Sequence, residues 1–387
     1  MMSPTTISEA FKDLTDPRMN RTKLHPLINI LTISICAIIA GCDDFQSISE
    51  YGKSKKAWFG EFLDLENGIP CRDTFNDVFN RINPHEFARA FTAWVCSLGD
   101  LKDDIVAIDG KVMRRTLDKT NGIPAIHLVS AWSVKNNLCF GQIKVSDKSN
   151  EITAIPKLLE LLDIEGATIT TDAMGAQFKI GEQIVEQKGN YVLALKGNQG
   201  EFHDDIKLFL DTNLKNNFSK IPHDVFSSVN GDHGRIETRK VWLTCDVDWL
   251  KDIHPRWKSI RGIAMIESTR EMNGKESYER RYYITSHHDK SAEFIAHAIR
   301  THWHVENKLH WQLDVSFNED YNRLRSGHAV ENFALMNKVA LNLLKNEKSI
   351  RLGVKNKRLK SGWDDDYMMK VLTAVLSEIN NLINKGL

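Results

Sequence analysis

At 387 residues the chain has room for two or three domains, each with a core of its own. Hydrophobic residues at 42% and charged residues at 26% are the proportions of an ordinary soluble globular protein and exclude a fibrous or disordered chain. The 51 basic and 51 acidic residues sum to a net charge of +0, which neither selects nor excludes a nucleic-acid partner, because such binding depends on local patches.

Residues 1–98 read as a helical domain. The run Leu27–Gly41 is apolar, but it is shorter than the roughly 20 residues a membrane span needs. Asn29, Thr32 and Ser34 also interrupt it. It predicts a buried core helix with Leu27, Ile30, Leu31 and Ile38 on one stripe. Glu9, Asp13 and Asp16 precede it, where a secretory signal would be basic. A cytoplasmic location and no membrane partner are therefore expected. After Pro70, Asp73 is the expected cap of a helix with Phe75, Val78, Phe79 and Ile82 on one face. Phe87, Ala90, Phe91, Trp94 and Val95 repeat the spacing after Pro84. Nothing in this region carries chemistry, and no helix-turn-helix is legible in it. Without a C-x-x-C pair, Cys36, Cys42, Cys71, Cys96, Cys139 and Cys245 read as buried thiols of a reducing compartment.

The grammar changes at Asp103. Asp104–Asp109, Ile126–Val134 and Leu138–Val145 predict three strands, the last two joined by a turn at Lys135, Asn136 and Asn137. A helix over Ile152–Leu162, a strand over Ala167–Thr171, a helix over Gln177–Gln187 and a strand over Tyr191–Leu195 follow. This β-β-β-α-β-α-β order predicts an α/β fold with a mixed sheet. Residues 200–280 break the order with strand-like pieces such as Val241–Thr244 and Ile263–Ser268, and with Gly231 and Gly234 in a polar turn; they read as a β-rich insertion. A strand at Tyr282–Ser286 resumes the core. Helices are expected over Ala292–Leu313, Val330–Leu344 and Tyr367–Ile383. The expected division is therefore 1–98 helical, 103–199 core, 200–280 insertion, 281–346 second part of the core, and 347–387 basic segment and C-terminal helix.

Three acids organise the chain: Asp109 after IVAI, Asp172 after TITT, and Glu306 within THWHVENKLHW. Singly, each has a plain reading: a turn residue, a helix cap and a helix glutamate. Together, two strand ends and a helix can bring carboxylates to one point, where repulsion demands a cation. Oxygen ligands suit Mg²⁺, and paired Mg²⁺ ions are a common device for cutting and joining phosphodiesters. His302, Glu306 and His310 share a helix face at i, i+4, i+8. A zinc site there lacks the H-E-x-x-H spacing and any cysteine pair. Trp303, Trp311 and Trp132 read as core, the usual fate of aromatics at helical spacing, with base stacking by one of the two helix tryptophans as the alternative.

IDGK around Asp109, HLVSAW (His127–Trp132), KSNEITAIP (Lys148–Pro156), TDAMG, YVLALKGNQG, HGRIETR and HWHVENKLHWQLDVSFNED occur in that order. With DPR, KLHPL and GIPCRDTF upstream and KRLKSGWDDDYMMKVL downstream, the chain resembles the ISAs-type, H-repeat-associated insertion-sequence transposases over nearly its whole length. The resemblance implies a DDE transposase with a ribonuclease H-like core. Asp109, Asp172 and Glu306 would be its catalytic metal ligands, with Mg²⁺, or Mn²⁺ in its place. DNA would be the partner, as element ends and target, and two or more copies would pair the ends. A non-mobile DNA-binding derivative and a stand-alone nuclease of the same fold are the rivals. Related transposases carry Tyr, Arg and Lys around the glutamate; here Ile299, His302 and Leu313 stand there. Residues expected to contact DNA are Lys111, Lys196, Asn198, Gln199, Arg235, Arg239, His302, Trp303, His310, Arg323, Arg325, Lys357 and Arg358. Lys357 and Arg358 belong to a basic run from Lys348 to Lys360 that contains no acid, and its affinity for DNA should fall steeply with salt.

Overall fold

The computed structural model describes residues 6–146, 149–232, 235–272 and 274–383. Six helices come first: α1 (Ile7–Phe11), α2 (Leu27–Ala40), α3 (Phe45–Ser54), α4 (Lys56–Phe59), α5 (Arg72–Arg81) and α6 (Pro84–Leu98). α2 is apolar on all sides, as a helix wrapped by its neighbours must be. Gly41, at φ 117°, ends it in a left-handed turn that a side chain would resist. Among the described residues no single helix is long and apolar enough to cross a membrane; α2 and α3 together have that composition but are bent by 96°. α5 starts at Arg72, so Asp73 lies in its first turn rather than capping it.

The predicted strands form one mixed sheet. β1 (Ile105–Met113), β2 (Ile126–Ser133) and β3 (Leu138–Lys144) make an antiparallel meander. α7 (Glu151–Leu159) crosses to β4 (Thr168–Thr171), and α8 (Phe178–Glu186) crosses to β5 (Asn190–Leu195). β4 pairs parallel to β1, and β5 parallel to β4. The order β3-β2-β1-β4-β5 with these directions is the ribonuclease H-like arrangement.

The expected insertion does not stand apart. After α9 (Glu201–Lys215), β6 (Asp224–Asp232), β7 (Arg235–Thr244), α10 (Asp248–Ile253), β8 (Gly262–Met272) and β9 (Lys275–Thr285) follow. β9 pairs with β5, from Val192↔Thr285 to Leu195↔Tyr282, so the sheet continues to nine strands in the order β3-β2-β1-β4-β5-β9-β8-β7-β6. Gly231 lies inside β6, not in a turn, and Gly234 falls outside the described residues.

The remaining chain is helical: α11 (Ala292–His302), a π-helical turn (Val305–His310), α12 (Trp311–Phe317), α13 (Ala329–Asn346), α14 (Val354–Trp363) and α15 (Asp365–Ile383). α11 covers one sheet face, with Ile295, Ala298 and Ile299 packed on Ile105, Val192, Val241 and Ile266. α7 and α8 cover the other through Ile155, Leu158, Ile180 and Ile184. α13 is buried along nearly its whole length and ties the ends of the chain together. Its Asn332 amide donates to the Phe79 and Ile82 carbonyls at 2.9 and 3.0 Å, and Asn342 exchanges hydrogen bonds with the Cys139 backbone at 3.0 and 2.8 Å. The helices before the sheet and those after it therefore share one core with it. Only Cys36 and Cys139 are the buried thiols expected; Cys42 is half-buried, and Cys71, Cys96 and Cys245 are exposed.

Candidate active site

Side chains alternate along a strand. In β1, Ile105 joins the cluster under α11, so Asp109, four residues on, lies on that face too. β4 runs beside β1 only as far as Ile108↔Thr171. Asp172 therefore lies just past the end of β4, where open α/β sheets bind ligands, and Asp109 lies beside that end within β1, which does not stop there as expected but runs on to Met113 paired with β2. Asp172 Oδ1 accepts hydrogen bonds from the Met174 and Gly175 N–H groups at 2.9 and 3.2 Å, which turns the chain sharply after the strand. The Asn198 and Gln199 side-chain amides both donate to the Ala173 carbonyl, at 3.0 and 2.6 Å. These two residues, expected to contact DNA, brace the loop that carries Asp172.

Glu306 arrives from the other direction. The helix expected over Ala292–Leu313 is interrupted by the π-helical turn, in which the Trp311 N–H reaches the Glu306 carbonyl. Such widened turns recur at functional sites. Val305, Leu309 and Leu313 stay buried while Glu306 is exposed. His310, 3% exposed, sits between the acids: Nδ1 is 3.1 Å from Glu306 Oε2 and 3.7 Å from Asp109 Oδ2. It was expected at the DNA backbone, yet it is an interior partner of two carboxylates. His302, four residues earlier, is drawn instead to Thr170, with Nδ1 3.0 Å from the hydroxyl. Burial pushes its imidazole down to about 4, so it stands neutral and offers no charge to a phosphate.

Asp109, Asp172 and Glu306 line one cavity of about 340 Å³, together with Lys196, His302 and Trp303. Burial pushes the Asp109 carboxyl up to about 6; His310 opposes the shift, and the Glu151 and Asp172 charges add to it. The His310 contact holds the Glu306 carboxyl below its usual range against partial burial. Asp109, Glu306 and His310 offer ligand atoms that all lie within 4.8 Å of one another. Half-buried Asp109 and Asp172 and the exposed Glu306, mutually repelling and beside a buried imidazole, are a donor set that a divalent cation neutralises, so the residues present fit a metal.

Lys111 is not a free cation either. Its ammonium lies between Asp314 of α12 and the fully buried Glu319, 2.9 Å from Glu319 Oε2. Burial alone would raise the Glu319 carboxyl; the Lys338 and Lys111 charges outweigh it and keep it ionised. The clamp locks the helix after Glu306 to the strand that carries Asp109. The sequence signal was Lys111 two residues after Asp109, on the same face. Among the described residues, Lys111→Ala leaves Lys338, at 3.9 Å, as the one ion-pair partner of Glu319. A loss of about 3–5 kcal/mol is expected, read as a lower urea midpoint at unchanged slope. An unmoved midpoint would mean that Glu319 is held by other groups.

Lys357 and Arg358 are corrections of a different kind. Both are 7% exposed. Lys357 Nζ donates to the Leu344 carbonyl at 3.0 Å and to that of Glu347, and Arg358 donates to the Ile38 carbonyl at 2.6 Å. Neither faces solvent. Arg323 and Arg325 are exposed, the latter 3.6 Å from Asp118. Trp303 is 53% exposed at the cavity wall.

A second hollow adjoins the first. It is a trough of about 890 Å³ over β6–β9, lined by Arg235, Arg239, Arg270, Arg281 and Arg300 against Glu237 and Glu279. Arg281, Tyr283, Ile299 and Trp303 line both hollows. Arg239 lies 2.8 Å from Glu237 and Arg235 3.4 Å from it, so the buried glutamate arrays the guanidiniums. Arg235 and Arg239 were expected to contact DNA. The arginines of β8, β9 and α11 were missed, because only the strand pairing brings them together.

Strand order and an acid cavity at the strand ends define a ribonuclease H-like protein of the DDE class. The chain belongs to the transposase DDE domain family, whose profile matches residues 100–343; the DDE_Tnp_1-associated profile matches residues 8–95. It is 40% identical over 373 residues to the "H repeat-associated putative transposase YhhI" of Escherichia coli K12, covering 95% of this chain and 97% of that protein. It is 45% identical over 281 residues to an uncharacterized protein in the dhlA 3′ region of Xanthobacter autotrophicus, covering 72% of this chain and 93% of the other. A solved piggyBac transposase synaptic complex with hairpin DNA overlaps 96% of this chain and 76% of its own at 10% identity, with a TM-score of 0.42, too loose to carry any argument.

Proposed function

We propose that this transposase cuts DNA at the ends of its insertion sequence and joins the freed 3′ ends to target DNA, using divalent cations held by Asp109, Asp172 and Glu306. The observation that carries the reading is the meeting of these three acids in one cavity that opens into an arginine trough. Bound there, Mg²⁺ or Mn²⁺ would supply Lewis-acid chemistry, easing deprotonation of an attacking hydroxyl and offsetting charge on the leaving oxygen. The chain's own residues do the positioning. The turn after β4 fixes Asp172, the Lys111 clamp fixes Glu306 against Asp109, and His310 holds those two carboxylates close. Lys196 and Arg281 stand at the cavity wall, where the scissile phosphate needs cations. His302, neutral and tied to Thr170, lets the strand approach without competing for the acids. Two copies would hold the two ends of the element.

The test is a strand-transfer assay with labelled element ends and Mg²⁺. Cutting followed by joining supports the reading. Cutting alone would leave a nuclease, and neither would leave a DNA-binding derivative.

The trough makes a separate prediction. Each arginine that contacts a phosphate contributes about 0.9 to the slope of log affinity against log salt on duplex DNA. Arg300→Ala and Arg281→Ala are each expected to flatten that slope by about one and to weaken binding equally on unrelated sequences. Unchanged slopes in both variants would place the DNA elsewhere.

A further inference from the structure

β4 and β5 stop where their neighbours continue. β4 ends at Thr171, level with Ile108 of β1, and β5 ends at Leu195, level with Tyr282 of β9. On one side β1 and β2 stay paired up to Met113↔Ile126. On the other, β8 and β9 stay paired up to Met272↔Lys275. The same edge of the sheet therefore rises on both sides of a notch, and Asp109 and Asp172 lie at its floor. At about 3.3 Å per residue, Met113 stands roughly 13 Å beyond Asp109 along its strand. The β8–β9 side is the wall that carries the arginine trough. The β1–β2 side is a second wall, across the notch from it.

This second wall presents cations on an ordered frame. Arg114 and Arg115 follow β1 directly, and Lys119 lies in the connection to β2. Hydrogen bonds of its own hold that connection. Asp118 and Ile123 exchange backbone bonds, both at 2.9 Å. Asp118 Oδ1 accepts the Thr120 and Asn121 N–H groups at 3.1 and 3.2 Å, and Thr116 Oγ1 accepts the Ile126 N–H at 2.8 Å. The chain after α12 packs beside it, with the Arg115 guanidinium 4.5 Å from the centre of the Tyr321 ring. That chain adds Arg323 and Arg325. All five cations are exposed, the Arg114 side chain by 84%. The acids on these two stretches are largely covered. Glu319 is buried against Lys111 and Lys338, Asp118 lies 3.6 Å from Arg325, and Asp320 lies 4.0 Å from Arg114. A rigid wall whose exposed cations exceed its exposed acids attracts a polyanion.

Joining brings two DNA molecules to one set of acids. The element end must stay in place from cutting to joining. The trough shares Arg281 and Trp303 with the acid cavity and is the surface that can keep it there. Target DNA must reach the same acids without crossing the held end, and the β1–β2 wall is the approach from the other side of the notch. We propose that this wall, with Arg114, Arg115, Lys119, Arg323 and Arg325, is the docking surface for target duplex DNA. The inference rests on the strand-joining reading above. The contacts would be to phosphates, which position a duplex without reading its sequence.

The test separates the two DNA molecules. Labelled element ends, supplied already cut with free 3′-hydroxyls, are joined to a plasmid by the full chain while plasmid concentration and salt are varied. Cutting of uncut ends and affinity for them are measured in parallel. The double variant Arg114→Ala with Lys119→Ala changes only exposed side chains and should melt with the wild type. It is expected to raise the plasmid concentration for half-maximal joining at least about tenfold and to flatten the log–log dependence on salt by about two, one for each phosphate contact removed. Cutting and end affinity should stay within about twofold, because the trough is distant and untouched. Arg114→Lys with Lys119→Arg keeps both charges and should join like the wild type. Half-maximal joining by the alanine variant at the wild-type plasmid concentration overturns the proposal. So does an equal loss of cutting and joining, which would give the wall to the element end or to contact between copies. A wild type that cannot join pre-cut ends at any plasmid concentration sinks the strand-joining reading, and this proposal with it.

Discussion

Asp109→Asn is expected to reduce cutting of element ends by at least about a thousandfold, roughly 4 kcal/mol of transition-state stabilisation, and to leave DNA affinity within about threefold. Asp109 sits at the centre of the acid group: His310 and Glu306 lie on one side, Asp172 at the end of the adjacent strand, and Gly110 beside it. Replacing its charge removes the ligand the others share. Binding is retained because the trough arginines lie on other strands and on α11. The same substitution should move stability in the opposite direction. In the folded chain the Asp109 carboxyl is raised to about 6 from an ordinary 3.8. Its contribution to metal-free stability is therefore complete below about pH 4 and is lost as pH rises through about 6, a cost of about 3 kcal/mol at neutral pH. Asp109→Asn should thus melt higher than the metal-free wild type at pH 7 and equal to it at pH 3.5. Saturating Mn²⁺ should restore the wild type and leave the variant unmoved. Cutting at the wild-type rate by the Asp109→Asn protein would remove Asp109 from the chemistry. Loss of both cutting and DNA binding would show that the damage was structural.

Much of the core was legible because strands announce themselves. IVAI before Asp109 and TITT before Asp172 are β-branched runs that end on an acid, and the parallel pairing Ile108↔Thr171 follows from the crossover helix between them. The segment 200–280 was legible as β-rich but not as part of the same sheet, since composition does not show that Tyr282–Thr285 pairs with β5. The π-helical turn was invisible: the apolar spacing of Val305, Leu309 and Leu313 suits an α-helix equally well, and packing against β1 decides. The role of His310 was obscured for the same reason, because spacing places it on a face without saying what lies opposite. Asp109 before Gly110 read singly as a turn residue; only the fold shows that Glu151, distant in sequence, occupies the space a side chain at Gly110 would fill. The cations were the least legible of all. A run of lysines and arginines reads as a solvated surface, yet helix ends leave carbonyls without partners. A buried helix end must draw its donors from wherever the chain supplies them.

Arg358 turns that last point into an experiment. α2 ends at Ala40, and the Ile38 carbonyl is one of its last four; it accepts from Arg358 Nη2 at 2.6 Å. The guanidinium also stacks 4.1 Å from the centre of the Phe317 ring, just beyond the π-helical turn. Burial lowers its pKa to about 10, so it remains charged at neutral pH. One side chain thus joins the N-terminal helices, the helix after Glu306 and α14. Arg358→Ala removes the charged donor from a carbonyl that, among the described residues, keeps only the Gly41 N–H, at 3.2 Å, and leaves a cavity beside Phe317. A loss of about 3 kcal/mol or more is expected, from one charged hydrogen bond and the packing of a buried side chain. Arg358→Lys should recover little of it, because an ammonium cannot both stack flat on a ring and reach the carbonyl. Urea denaturation of the full chain measures the loss, and DNA affinity measured below the transition measures the alternative. Were the basic run a DNA surface, Arg358→Ala would leave the midpoint in place and flatten the salt dependence of binding. The buried position predicts the reverse: a lower midpoint with the salt slope of the folded fraction unchanged. Lys355, exposed on the same helix, provides the contrast, because Lys355→Ala removes a charge without opening the core. Equal effects of the two substitutions on stability would contradict the interior role of Arg358 and return the run to the surface.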